Sequence, residues 1–332
     1  MVRENQLTKT KGYINATARY WLAGVVLIST GIAYAGDVPT EADLRRAVAW
    51  QVALDRVGFS PGVIDGRVGP KTRLATREFQ RVRSLPQTGR LDDETSKALQ
   101  INPDNVLGRY TIQRADLAQI GPVPKSWLAR SKLHYLGHET LTHVLAEKFH
   151  CARHLLETLN RGKNISAFKP GDKVVVPAVT ERDDWPKADH LEVNLAGKVI
   201  RAIGPDRKLL ALFHCSVAAK KSKLPTRDAR IVVVAKDPSY TFNPKMYPEV
   251  KEPITTKLLI PPGPRNPVGR CWMGLSLPGY GMHGTPNPEL IGKTGSHGCF
   301  RLANWDAIRL SKMVSVGTPV RFVNKPEPGL AP

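Results

Sequence analysis

Cysteine is scarce in this chain: four in 332 residues, at Cys151, Cys215, Cys271 and Cys299. They are too few and too scattered for a disulfide framework or a CxxC zinc site, which excludes the small stapled secreted folds. An even count in an oxidising compartment still invites pairing, and Cys215 with Cys271 is the pair expected. Acidic residues are also in deficit, 29 against 49 lysines and arginines, for a formal charge of +20. That excess calls for an anionic partner, whether nucleic acid, an acidic envelope polymer or a membrane surface. Base-stacking and groove-reading motifs are lacking, so no nucleic-acid partner is expected. Long apolar runs are lacking as well. The uncharged stretch from Tyr20 to Ala33 is too short for a comfortable bilayer span of about 20 residues, and no later segment approaches that length.

What stands around that stretch gives it a meaning. Arg3, Lys9, Lys11 and Arg19 precede it, and Ala33-Tyr34-Ala35 closes it before Gly36-Asp37. Basic region, short apolar core and small-x-small site are the parts of a secretory signal in their normal order. Residues 1–35 are therefore expected to be cleaved, leaving Gly36 as the mature N-terminus and an exported protein of the periplasm or cell wall with no integral membrane span. Cleavage takes away four bases and Glu4, so the mature chain stays near +17. With 41% hydrophobic and 23% charged residues, the remainder is long enough for two or three modest cores.

Residues 41–100 have the pattern of a small helical unit. Leu44, Ala47, Val48, Gln51 and Leu54 fall at helical spacing and lead to a turn at Gly58. Pro70 is placed to open a second helix, with Ala75, Phe79 and Val82 as its inward stripe. Asp92 is placed to cap a third. Gln51, Leu54, Gly58-Phe59, Asp65-Gly66, Gly69-Pro70-x-Thr72, Phe79-Gln80, Leu85-Pro86, Gly89 and Thr95 together resemble a three-helix peptidoglycan-binding domain. The resemblance implies peptidoglycan as a partner.

Residues 101–130, with Pro103, Pro122 and Pro124, read as an irregular linker. A histidine-rich stretch follows, from His134 through His138 and His143 to His150 and His154. His150 and His154, at i and i+4, are expected to share a helix face. A zinc-protease helix needs glutamate directly after its first histidine, and His150-Cys151-Ala152-Arg153-His154 lacks it, so no metal or other cofactor is expected. Gly137-His138-Glu139-Thr140-Leu141, Leu155-Leu156, Leu159-Asn160 and Lys169-Pro170-Gly171-Asp172 resemble a diverged lysin motif. That motif is a strand-helix-helix-strand module, placed here over residues 133–179, and it implies a glycan-binding part or a spacer.

From His190 the pattern changes to alternation and β-branched runs. Leu191, Val193 and Leu195 alternate, Ala196-Gly197-Lys198 turns the chain, and Leu209–Val217, Ile231–Ala235 and Pro319–Val323 supply further strands. Asn304 is placed to cap one clear helix. Residues 188–324 thus form a mainly β domain whose loops carry the chemistry.

That chemistry lies in Met282-His283-Gly284-Thr285 and Thr294-Gly295-Ser296-His297-Gly298-Cys299-Phe300-Arg301. A thiol attacks only as thiolate, and its ordinary pKa of about 8.5 is lowered by an imidazolium, a cation or backbone N–H donors. This segment supplies all three. A nucleophilic cysteine also needs a base that returns its proton to the leaving amine, and spacing leaves His283 and His297 both open. Gly298 permits close approach of substrate and frees N–H groups for an oxyanion. Arg301 either binds a substrate carboxylate or supports the loop, and the Ser296 hydroxyl is a candidate to orient the base.

His283-Gly284-Thr285 with Ser296-His297-Gly298-Cys299-x-Arg301 resembles the catalytic motif of the YkuD-type L,D-transpeptidases, and Trp272, Asn304, Asp306 and Gly317-Thr318-Pro319-Val320 extend the likeness. The resemblance implies a β-sandwich catalytic fold, Cys299 as nucleophile, His283 as base, and Gly284, Ser296, His297, Gly298 and Arg301 as residues that shape the site and its oxyanion hole. It implies transfer of a stem-peptide acyl group to an amine, with water or a lysine of an envelope protein as other acceptors, and a wall-binding protein without turnover as the remaining reading. Three positions depart from the pattern: Phe300 replaces an aliphatic residue, Leu224-Pro225-Thr226-Arg227 is all that remains of a Thr-Pro-x-Gly, and Cys271 precedes Trp272. Phe300 and Cys271 are expected to bear on what reaches the acyl-enzyme.

Overall fold

The computed structural model describes residues 40–327; the expected signal sequence, residues 1–35, lies outside them. Helix α1 (Glu41–Arg56) starts where Thr40 and Asp43 exchange side-chain-to-backbone hydrogen bonds in a reciprocal capping box. Helix α2 (Pro70–Val82) opens on Pro70, whose missing N–H costs nothing in a first turn. Helix α3 (Asp93–Ala98) is capped as the sequence predicts, Asp92 accepting from the Thr95 N–H at 2.8 Å. The buried Gln51 side chain accepts from the Gly66 N–H at 2.9 Å and donates to Asp65 at 2.9 Å, so that residue staples the loop between the first two helices. Leu54, Leu74, Ala75 and Phe79 are buried, but Val199, Ile203, Leu209 and Leu212 of the C-terminal sheet complete the same core.

The segment 101–130 is not an irregular linker. It holds strand β1 (Leu107–Thr111) and the short helices α4 (Arg114–Leu117) and α5 (Trp127–Ser131). After them come α6 (Leu141–Lys148), α7 (Arg153–Leu159) and β2 (Lys173–Pro177), and β1 pairs antiparallel with β2. The first strand of this module therefore lies well upstream of residue 133, because Pro103, Pro122 and Pro124 flank the regular elements without interrupting them. Helix α6 ends before His150 and α7 begins after it, so His150 and His154 do not share a helix face. His150 sits instead in the intervening turn at φ +52°, a left-handed conformation.

The C-terminal part contributes β3 (His190–Asn194), β4 (Val199–Ile203), β5 (Leu209–His214), β6 (Ala229–Lys236), the hairpin β7 (Tyr240–Phe242) and β8 (Leu258–Ile260), β9 (Cys271–Leu275), β10 (Gly281–His283), β11 (Phe300–Arg301), helix α8 (Asn304–Met313) and β12 (Pro319–Val323). Eight of these strands form one ladder in the order β11-β10-β9-β6-β12-β3-β4-β5. Ser216, just past β5, exchanges backbone hydrogen bonds of 2.9 and 3.1 Å with Arg301 of β11 at the opposite edge. The sheet therefore curls until its edges meet, and both layers of the expected sandwich belong to one continuous sheet. Leu191, Val193, Phe213, Met273, Phe300 and Val320 fill its interior, and α8 closes one side with Ala307, Leu310 and Met313.

Two sequence expectations fail here for topological reasons. Cys215 and Cys271 are free, as are Cys151 and Cys299. The first follows β5 and the second opens β9, with β6, β12, β3 and β4 between those strands in the sheet. Asn304 is the first residue of α8, with Ala303 as its cap, and its side chain turns elsewhere.

The three parts are locked by buried charge. Asp55 of α1 accepts from Arg309 of α8 at 3.2 Å, and its other partner is His150 Nδ1 at 3.0 Å. His150 Nε2 meets Glu181 at 2.7 Å. The Arg309 guanidinium and the His150 imidazolium offset the burial of Asp55 and hold its pKa well below the ordinary carboxylate range, while Asp55 and Glu181 raise that of His150 to about 9 against burial.

Candidate active site

Strand β10 runs parallel to β11, with Met282 opposite Phe300 and His283 opposite Arg301. Continuing that register sets Cys299 opposite Gly281. Side chains alternate across a sheet, so Cys299, Arg301 and His283 share one face, while Met282 and Phe300 point into the core. Cys299 and His283 lie on a diagonal, offset by one strand and two residues. Phe300 is buried against Phe322 at 5.6 Å, and Cys271 is buried in the same core. Neither faces Cys299, so these two departures from the family pattern alter the packing behind the site and not the route to the sulfur.

The resting site is neutral. Burial raises the Cys299 thiol, with the Gly281 N–H and the Arg301 charge opposing it only in part. Its Sγ donates to the Gly279 carbonyl at 3.6 Å. Burial lowers the His283 pKa to about 4, so the imidazole is uncharged at neutral pH. The Nδ1–H of His283 donates to the Gly284 carbonyl at 2.6 Å, which leaves the lone pair on Nε2. Trp272, opposite His283 on β9, stacks on the imidazole at 5.6 Å and 24°. Gly281 makes this possible, since a Cβ there would lie 2.4 Å from the Trp272 ring.

The remaining predicted residues build the loop. Ser296 does not touch His283: its Oγ accepts from the Gly298 N–H at 3.1 Å and donates to the Cys299 carbonyl at 2.5 Å. The Gly298 amide is thereby occupied, and among the described residues the Cys299 amide has no hydrogen-bond partner. Arg301 donates to the Thr294 carbonyl at 3.0 Å and to the Gly295 carbonyl, so it supports the loop. His297 is exposed and meets Tyr247 edge-on at 5.4 Å. Gly284 is required by close approach, a Cβ there falling 2.1 Å from Asn304 Oδ1.

Sequence reasoning missed what surrounds this face. Asn304 accepts from the Arg270 N–H at 3.1 Å and donates to Glu147 of α6 at 2.8 Å, behind the His283-Gly284 turn. Burial raises Glu147 to about 7. Over the site lies the β7–β8 hairpin, whose Tyr240 and Tyr247 hydroxyls are 2.7 Å apart. Burial, Tyr247 and the nearby Cys299 sulfur all push the Tyr240 hydroxyl pKa up. Trp127 of α5 stacks on Phe242 at 4.2 Å, and Glu252 of the hairpin loop accepts from Ser126 Oγ at 2.7 Å and the Trp127 N–H at 2.8 Å. The only sequence signal for this latch was an isolated tryptophan in a proline-flanked segment.

The family profile for the L,D-transpeptidase catalytic domain, YkuD, matches residues 188–322, and that for a "Putative peptidoglycan binding domain" matches residues 47–99. A Bacillus licheniformis protein named "Putative L,D-transpeptidase YkuD" is 29% identical over 55% of this chain and 92% of its own length. The Bacillus subtilis protein of the same name is 49% identical over 45% of this chain and 74% of its own. "Probable L,D-transpeptidase YbiS" of Escherichia coli is 38% identical over 27% of this chain and 29% of its own. With half of the aligned positions shared across three quarters of the Bacillus subtilis relative, the chain belongs to the YkuD family of L,D-transpeptidases.

Proposed function

We propose that the chain is an exported L,D-transpeptidase that uses Cys299 to form an acyl-enzyme with a peptidoglycan stem tetrapeptide and hands the acyl group to an amine. The observation that carries this reading is the shared face of Cys299 and His283, with the imidazole lone pair on Nε2. A neutral thiol beside a neutral imidazole transfers its proton as it attacks. Sγ bonds to the carbonyl carbon of the diamino acid while its proton moves to Nε2. The resulting imidazolium protonates D-alanine's nitrogen as the C–N bond breaks, leaving a thioester. An acceptor amine then attacks the thioester, His283 takes its proton, and the proton returns to sulfur as the thiolate leaves. The free Cys299 amide is the donor available to the oxyanion, a contact typically worth ~3 kcal/mol. Peptidoglycan binding by the helical unit and the lysin-motif-like module concentrates the enzyme on the wall, in the periplasm or cell wall.

Intact-mass measurement after incubation with a carbapenem tests the nucleophile: an adduct on the wild type that Cys299→Ala abolishes is expected, and a reactive but unmodified wild-type thiol overturns the reading. Incubation with disaccharide-tetrapeptide then tests the acceptor. Crosslinked dimer is the expected product, whereas tripeptide without dimer assigns water as acceptor.

A further inference from the structure

Behind the catalytic face, the α6–α7 module reaches the His283-Gly284 turn through one carboxyl group. Glu147, next to last in α6, has a side chain only 19% exposed, and its Oε2 accepts from Asn304 Nδ2 at 2.8 Å. Burial raises its pKa to about 7 even with the Arg265 and Arg270 cations nearby, so the position is unfavourable for a carboxylate. Docking of the module does not account for that. Glu139 of the module already pairs with Arg265 at 2.8 Å, the Leu136 N–H donates to the Pro262 carbonyl at 2.8 Å, and His150 stacks on Trp305 at 5.1 Å.

What Glu147 does fix is the direction of an amide. Asn304 is fully buried, and its side chain is wedged between two glycines, since a Cβ on either Gly269 or Gly284 would overlap its Oδ1. Oδ1 accepts from the Arg270 N–H at 3.1 Å. An asparagine amide keeps nearly the same shape with oxygen and nitrogen exchanged, so its hydrogen-bond partners choose the orientation. Glu147 chooses here, because a carboxyl oxygen accepts and only Nδ2 can donate to it; the Pro264 carbonyl, 3.3 Å from Nδ2, adds a longer bond of the same sense. The reversed amide would set its amino group against the Arg270 N–H and its oxygen against the carboxylate. Two neighbouring segments depend on that choice. Arg270 leads into Cys271, whose carbonyl accepts from the Gly284 N–H at 3.1 Å, and the Gly284 carbonyl in turn takes the Nδ1–H of His283 at 2.6 Å.

From this chain of contacts we infer that Glu147 is a positioning residue for the reaction: it orients Asn304, Asn304 holds the Gly284 turn, and the Gly284 carbonyl keeps the His283 proton on Nδ1 and the lone pair on Nε2. The inference rests on the reading of His283 as the base for Cys299, and it makes the catalytic domain depend on a side chain supplied by the α6–α7 module.

The test uses the full chain and pairs the rate of carbapenem acylation at Cys299 with ring-nitrogen NMR of labelled histidines, the His283 signals being assigned with His283→Gln. Glu147→Met removes the acceptor and keeps the volume, Glu147→Ala removes it without the bulk of methionine, and Glu147→Gln keeps an acceptor without the charge. Glu147→Met is expected to slow the acylation step about tenfold at unchanged carbapenem affinity, as for the loss of one hydrogen bond to a charged group. Its His283 signals should move from the Nδ1-protonated pattern toward exchange between the two tautomers, while Glu147→Gln retains both the rate and the pattern of the wild type. A wild-type rate and pattern in folded Glu147→Met or Glu147→Ala overturns the inference, and so does an equal loss in Glu147→Gln. Failure of both apolar variants to fold while Glu147→Gln folds assigns the bond to module docking and overturns it as well. A wild type that forms no adduct defeats the reading of Cys299 as nucleophile, whereas an adduct formed equally fast by every variant defeats this inference alone.

Discussion

The catalytic face and the junction of the three parts solve opposite electrostatic problems. At the junction, Asp55, Arg309, His150 and Glu181 are charged and mostly buried, and each is held by the others. At the catalytic face, Cys299 and His283 are kept neutral by burial and are positioned by backbone: a parallel register, one carbonyl on Nδ1 and one on Sγ. Paired charge fixes where the parts sit, and unpaired neutrality keeps a proton free to move. The contrast explains why the chain keeps so costly a network away from the sulfur. The Arg301 guanidinium, a fixed charge on that face, is turned onto the Thr294 and Gly295 carbonyls and offsets the burial of the thiol only in part.

If the division is real, damage to one region should not appear as damage to the other. His283→Gln is expected to lower the rate of Cys299 acylation by about 10²–10⁴-fold, the usual contribution of a general base, with little change in melting temperature. Arg309→Leu leaves the buried Asp55 with His150 as its remaining counter-ion and should cost about 3–5 kcal/mol in denaturant unfolding, while the protein that remains folded acylates normally. A large loss of acylation per folded molecule in Arg309→Leu would break the comparison.

Glu147 sharpens it, because it stands between the two regions. It faces His138, Arg265 and Arg270 and accepts from Asn304. Its folded pKa of about 7 lies above its ordinary value of 4.5, so its contribution to stability is complete below pH 4.5 and is lost as pH rises through 7. Glu147→Gln keeps an acceptor for Asn304 and should remove that slope, making the variant more stable than the wild type at pH 8 by about 3 kcal/mol and no more stable at pH 4. Parallel pH–stability curves would show that Glu147 is not strained by burial. The smallest effect is expected from Trp127→Ala, which removes the stack on Phe242 and should raise the KM for tetrapeptide a few-fold while leaving kcat nearly unchanged. A fall in kcat with KM constant would mean that the hairpin positions the nucleophile and does not merely cover it.

How much of this was legible depended on whether local residues determined the feature. The helical unit was, because Pro70 and Asp92 sit at helix starts whose chemistry is local. So were β3, β6 and β12, whose alternation or β-branched runs are visible in short windows. Cys299 and His283 were singled out by residue type and motif. Their shared face was not, because it depends on the parallel pairing of two very short strands, a contact with no signature in either segment. Ser296 was singled out as a site residue and given another task, Arg301 was left with two tasks of which loop support is the one seen, and Asn304 was read as a helix cap, since a side chain's partner depends on the tertiary neighbours that reach it. His150 shows the same limit: its spacing from His154 suggested a helix face, and the ion pair with Asp55 belongs to a turn that only packing explains. β1 was missed because prolines outweighed a short strand in the reading of its surroundings.

The meeting of Ser216 with Arg301 also sets an order in time. Strand β11 has two residues, and its place in the sheet depends on a partner at the far edge that is remote in sequence. Closing such a contact carries a loop-entropy cost and belongs among the slower pairings of a β fold. Until that seam shuts, the segment that carries Cys299 is held on the His283 side alone, by its two-residue pairing with β10. An opening of so short a seam would loosen the segment that carries Cys299 without unfolding the rest of the sheet.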